Sequence, residues 1–153
     1  MGSEDNLKKL NINLPSAPKP VGAYVAYKKI GNLVYISGQV SFRPNGELIK
    51  GKLGLDLNIE EGQEAAQACA INILSQIKAA CNGDLNIVNN CLKISGFVNS
   101  TSKFIDQPKI INPASELIVK IFGDKGKHTR IAVSVNSLPL DACVEIDAIF
   151  EIN

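Results

Sequence analysis

The chain has no tryptophan, one histidine (His128), one methionine, and only five phenylalanines and three tyrosines in 153 residues. Each shortage closes a route. A lone histidine leaves no imidazole pair for RNA cleavage and no histidine cluster for a metal ion. The few aromatics are not interleaved with basic residues, so no platform for stacking single-stranded bases is present. Charge of one sign is missing too. Sixteen Lys and Arg face fifteen Asp and Glu, a net charge of +1. Such a chain makes no large field to hold a nucleic acid. No apolar run approaches the ~20 residues that cross a bilayer. The segment from Met1 to Lys9 is polar and carries no signal-peptide core. The cysteines Cys69, Cys81, Cys91 and Cys143 form no CxxC pair. They are expected to be reduced, small buried hydrophobes, in a cytoplasmic protein. A phosphate-loop spacing and a GxSxG elbow are both absent. No cofactor, metal, nucleic acid or membrane partner is expected.

What is present suits a globular fold. Hydrophobic residues make up 45% of the chain and charged residues 20%. A domain of this size buries roughly 70% of its unfolded surface without disulfides or metal. Residues 1–13 read as a flexible N-terminal lead and 14–153 as one domain. Leu14 to Val21 is proline-rich and extended. Strands are expected over Ala23–Ile30 and Leu33–Val40, around the Gly31-Asn32 turn. A short third strand, Glu47–Lys50, follows the turn at Pro44-Asn45-Gly46 and completes a meander.

Asn58 and Glu61 have capping-box spacing ahead of a helical stripe from Ala66 to Cys81, which Asn82-Gly83 ends. Cys91–Asn99 reads as a strand. A second helix spans roughly Asp106 to Phe122; Pro113 must kink it or open a new first turn capped by Asn112. The last strands are Thr129–Val135 and Ala142–Ile152. The order β-β-β-α-β-α-β-β gives an α+β fold, a mixed sheet with two helices on one face. The other face is expected to carry charges among Ala132 and Ile149, and is either solvated or an oligomer interface.

Among chemistry-bearing residues, His128 beside Lys127 reads as a surface histidine. Arg130 opens a strand, and its planar fork matches a carboxylate bidentately. It equally reads as a surface arginine at a strand end, or as a partner for Glu145 or Asp147.

Three segments, in order, resemble one family. They are Ala17-Pro-Lys-Pro-Val-Gly-Ala-Tyr24, Gly31-Asn-Leu-Val-Tyr-Ile-Ser-Gly-Gln39, and the run from Thr129 through Leu138-Pro139 to Val144-Glu-Ile-Asp-Ala-Ile149. Together they are similar to the RidA (YjgF-like) superfamily, formerly described as endoribonuclease L-PSP, over about residues 14–152. The resemblance implies a chorismate-mutase-like fold in a homotrimeric barrel, with sites in clefts between subunits. It implies hydrolysis of reactive 2-imino or enamino acids to 2-oxo acids and ammonia, linked in function to PLP enzymes without required contact. It places the carboxylate-docking arginine at Arg130 and the site glutamate at Glu145. Tyr24, Ser37, Gly38 and Asn112 fall on the family's pocket positions. The chain departs from the family at Ala132, where a cysteine is common, and has extra residues around 50–57 and 105–111, as in a longer-chain subgroup. A non-catalytic carboxylate-binding module on the same pocket is the alternative. Ribonuclease activity, also attached to the family, is disfavoured by the near-neutral charge and single histidine.

Overall fold

The computed structural model describes residues 1–153. In chain order the elements are helix α1 (Ser3–Lys9), strands β1 (Tyr27–Ile30) and β2 (Leu33–Val40), helix α2 (Ile59–Ala80), strand β3 (Val88–Asn99), helix α3 (Gln107–Phe122), and strands β4 (Thr129–Val135) and β5 (Val144–Ile152). Local chemistry accounts for the two long helices. Asn58 caps α2, its Oδ1 accepting the Glu61 N–H at 2.9 Å. Asn82 and Gly83, both at positive φ, end it. The stripe of Ala66, Cys69, Ala70, Ile73 and Ile77 is buried, and its small members let the helix lie close to the sheet. In α3, Pro113 lies inside one continuous helix. The proline cannot donate to the Lys109 carbonyl one turn back. Gln63 Nε2 of α2 donates to that carbonyl instead, at 3.0 Å. Asn112 is therefore not a cap, and its side chain is free for another use.

The sheet runs β1-β2-β5-β3-β4, with only β3 and β4 parallel. Both long helices pack on one face. Alternation along β5 sends Val144, Ile146, Ala148, Phe150 and Ile152 into that core. Ile94 and Val98 of β3 join them, against Ile73, Ile110, Ile111 and Ile118 of the helices. Burying each such side chain contributes roughly 1.5–3 kcal/mol. All four cysteines are free and buried.

The structure departs from expectation in three places. The first thirteen residues, expected as a flexible lead, contain α1. Its seven residues are too few to be stable in isolation, so tertiary contacts supply the stability. Leu7 is buried, Asn6 Nδ2 donates to the Ile121 carbonyl at 2.8 Å, and Glu4 accepts the Leu85 N–H and pairs with Lys78, both at 2.9 Å. Glu47–Lys50 makes its turn, with Gly46 at φ +88°, but forms only isolated bridges from Leu48 and Lys50. Gly51, at φ +119°, then turns the chain away before a ladder builds.

The third departure is the facing of β4. Ala132 does not lie on the outer face with Ile149. It pairs with Gly96 of β3 on the helix side. Ile111 fills the space above Gly96, where a Cβ would meet it at 2.7 Å. Ile131 and Val133 point outward in consequence, 43% and 41% exposed.

Candidate functional site

The expected site residues fall into two groups. The first group forms around an irregularity in β2. Ile36 pairs with Ala148 but Gln39 pairs with Ile146, so Ser37-Gly38 carries one extra residue as a bulge. Ser37 Oγ donates to the Val25 carbonyl at 2.7 Å, and its N–H donates to Ala26. The bulge is thus tied to the segment that carries Tyr24. Gly38 has a steric reason to be glycine: a Cβ there would stand 2.5 Å from Glu145 Oε1. The carboxylate rests against bare backbone. Burial pushes the Glu145 carboxyl above the usual range, and the Asp147 charge adds to this. Tyr24, Gly38, Phe42, Leu140 and Glu145 line one cleft of about 440 Å³.

Leu140 stands at the mouth of this cleft, 69% exposed and at φ +60°. Such a backbone costs a leucine about 1–2 kcal/mol. Its neighbour Asp141 holds the turn in place. Asp141 Oδ1 accepts from Asn99 Nδ2 at 3.0 Å, and its carbonyl accepts the Gly51 N–H at 2.9 Å.

The second group surrounds Arg130. Its Nη1 donates to Asn112 Oδ1 at 2.9 Å and to Ser115 Oγ at 3.1 Å. Ser115 Oγ also lies 2.9 Å from His128 Nε2, and His128 Nδ1 lies 2.6 Å from the Gly126 carbonyl. Arg130 joins none of the four ion pairs, which are Arg43–Glu64, Lys78–Glu4, Lys109–Asp106 and Lys127–Asp124. Its Nε and Nη2 have no partner within the chain. A shallow cleft of about 310 Å³ lies beside it, lined by Ser115, Val119, Lys127, His128 and Arg130.

Sheet register shows how the two groups are related. Arg130 pairs with Ile94, which pairs with Ala148, all on the helix side. Glu145 pairs with Phe97 and Val40 on the outer side. The two expected catalytic residues thus occupy opposite faces, and Arg130 partners neither Glu145 nor Asp147. Tyr24, Gly38 and Glu145 line one cleft; Arg130 and Asn112 are joined by a hydrogen bond; Ser37, whose hydroxyl is spent on the Val25 carbonyl, and Ala132 line neither cleft. The extra residues 50–57 line neither cleft and instead bury Leu53.

Sequence reasoning omits Ser115 and takes His128 for a surface residue. Spacing contains both signals. Asn112 and Ser115 are three apart on a helix, and 128 and 130 alternate onto one side of an extended segment. No group of three or more His, Cys, Asp or Glu side chains gathers to hold a metal ion.

A five-stranded mixed sheet backed on one face by two long helices, with a bulge and a turn framing an outer cleft, defines the chorismate-mutase-like α+β class. A family model described as "YjgF/chorismate_mutase-like, putative endoribonuclease" matches residues 4–151. The chain belongs to this YjgF/RidA family. Protein TCP17 of Trypanosoma cruzi is 44% identical over 149 residues, covering 97% of this chain and 92% of that protein. A crystal structure of a protein of unknown function from Agrobacterium tumefaciens superposes with TM-score 0.90 at 43% identity, covering 99% of this chain and 94% of that one. A 2-iminobutanoate/2-iminopropanoate deaminase of Dermatophagoides farinae is 28% identical over 139 residues, covering 90% of this chain and 92% of that protein.

Proposed function

We propose that the chain hydrolyses reactive 2-imino and enamino acids to 2-oxo acids and ammonia, at clefts where two copies meet in a homotrimer. One observation carries this reading. The free guanidinium fork of Arg130 and the raised carboxyl of Glu145 lie on opposite faces of one sheet, each beside its own open cleft. No single chain joins them, so the reading requires a second copy: head-to-tail contacts around a three-fold axis would set one copy's arginine against the next copy's glutamate. The outer face supports such contacts, since Tyr35, Ile131 and Val133 are more than 40% exposed there. The family and the deaminase relative support the chemistry.

The residue types suit the reaction. Every 2-imino acid offers a carboxylate, which the Nε–Nη2 edge of Arg130 docks whatever the side chain. The C=N carbon is already electrophilic, so no covalent nucleophile is needed. Water attacks C2 of the protonated imine and gives one proton to Glu145, forming a carbinolamine. Glu145 hands that proton to the amino nitrogen; as the C–N bond breaks the hydroxyl O–H electron pair becomes the C=O bond, the hydroxyl proton passes to Glu145 and on to solvent, and the 2-oxo acid and ammonia leave. A carboxyl held above its usual range serves both transfers better than an ordinary glutamate. Holding the water in line supplies much of the remaining effect.

The test is 2-iminobutyrate generated in place by threonine dehydratase, with semicarbazide competing for the imine. Wild type should speed 2-oxobutyrate formation and Arg130→Ala should not. A folded wild type without acceleration contradicts the reading. If 2-oxobutyrate nevertheless raised its melting temperature, the pocket would be a carboxylate-binding module instead.

A further inference from the structure

The lone histidine and Ser115 have no role in the chemistry above, yet they end in the side chain that docks the substrate. Donor and acceptor chemistry orients the network. The Gly126 carbonyl can only accept, so His128 Nδ1 carries the proton. In the neutral imidazole with its proton on Nδ1, Nε2 accepts a hydrogen bond donated by the Ser115 hydroxyl. Ser115 Oγ, with lone pairs to spare, accepts from Arg130 Nη1. The bonds therefore run one way, from Arg130 through Ser115 and His128 to Gly126, and each polarises the next.

The far end is anchored. Gly126 is buried, and a Cβ there would stand 2.6 Å from the Ile118 carbonyl of α3. Asn112 takes the second proton of Nη1. Both Nη1 protons are thereby committed, and the Nε–Nη2 edge is left as one free, directed fork.

We propose that His128, acting through Ser115, is a positioning residue that holds the Nε–Nη2 edge of Arg130 toward the substrate carboxylate. The proposal rests on the imine-deaminase reading. Without the relay, the arginine must give up rotamer freedom when it binds, so substrate affinity falls while the water-attack step at Glu145 is unaffected.

The experiment compares wild type, Ser115→Ala, His128→Asn, His128→Gln and Arg130→Ala. It measures turnover of 2-iminobutyrate, calorimetric binding of 2-oxobutyrate and melting temperature. A glutamine oxygen reaches about the place of Nε2 and can accept from Ser115. An asparagine reaches only about the place of Nδ1. Ser115→Ala and His128→Asn should each raise KM and weaken 2-oxobutyrate about tenfold. Their kcat should stay within about twofold of wild type. His128→Gln should stay near wild type. The double variant Ser115→Ala/His128→Asn should be no worse than either single variant, because both break one chain of bonds.

Unchanged KM and binding in both single variants, with or without a fall in melting temperature, would overturn the positioning role. So would His128→Gln as impaired as His128→Asn. In those cases a damaged Arg130→Ala leaves the deaminase reading intact. An Arg130→Ala equal to wild type, or a folded wild type that does not turn over the imine, overturns the deaminase reading and this role with it.

Discussion

The cluster around Arg130 and the cleft around Glu145 are built on different principles. Arg130, on β4, is held by directed hydrogen bonds that it donates to Asn112 and Ser115 of α3, and a guanidinium keeps its charge without tuning. Glu145 has no such network. Its carboxylate rests against the backbone of Gly38 in a cleft shared with Tyr24, Phe42 and Leu140, and burial, with the Asp147 charge, raises its carboxyl. One region fixes a direction and the other sets a proton affinity. In the proposed reaction the first is read in substrate affinity and the second in the rate of the chemical step.

Substitutions can sharpen or break that division. The largest effect is expected at Arg130. Arg130→Ala should lower kcat/KM about a thousandfold, since losing one side of a close charge pair costs roughly 2–5 kcal/mol. Arg130→Lys should recover little, because an ammonium cannot present the planar fork. Steady-state kinetics check both, and a lysine variant near wild type would remove the case for bidentate docking.

Gly38→Ala comes next and acts on the other region. The new Cβ displaces the end of the Glu145 side chain, which is flexible, so the fold should survive. An ångström of misplacement costs roughly a hundredfold in rate. We expect that loss in kcat with KM little changed. A loss confined to KM would show that Glu145 works in binding.

Glu145→Gln tests the shifted carboxyl through stability. A carboxyl whose folded pKa is raised binds its proton more tightly folded than unfolded. Stability therefore falls as pH rises through that range and returns as pH falls. Thermal melts should show wild type gaining on Glu145→Gln as pH drops from neutral through the carboxylate range. Parallel curves would mean that the carboxyl is not desolvated.

The smallest effect belongs to Arg43, outside both regions. Its 2.7 Å pair with Glu64 is partly exposed, and the hydrogen bond from Arg43 keeps the Glu64 carboxyl below its usual range. Arg43→Ala should cost less than about 1 kcal/mol in denaturant melts and leave turnover unchanged.

The two regions also differ in how readable they are in the sequence. Strands β2 and β4 follow from alternation between turn residues, and α2 follows from Asn58 and its stripe. Arg130 and Glu145 stand out through the family's motifs. Alternation divides a strand into two faces but does not say which one packs inward. Ile131 and Val133 look like core, yet Ile111 occupies the space above Gly96 and draws Ala132 inward. Pro113 signals a helix start at Asn112, and only the tertiary contact from Gln63 explains why the helix passes through it. Helix α1 has no local signature strong enough to reveal it; Leu85, Lys78 and Ile121 hold it from distant parts of the chain. The separation of Arg130 from Glu145 depends on strand register, which residue spacing does not contain.

The most direct test of the account is complementation between copies. Arg130→Ala and Glu145→Gln are each expected to be inactive alone. Unfolded together in equal amounts and refolded, they should form mixed trimers. A site that takes its arginine from one copy and its glutamate from the next is intact in about one case in four when copies mix at random. The account predicts that about a quarter of wild-type turnover returns on mixing. Mixed trimers verified by mass that remain inactive would contradict it.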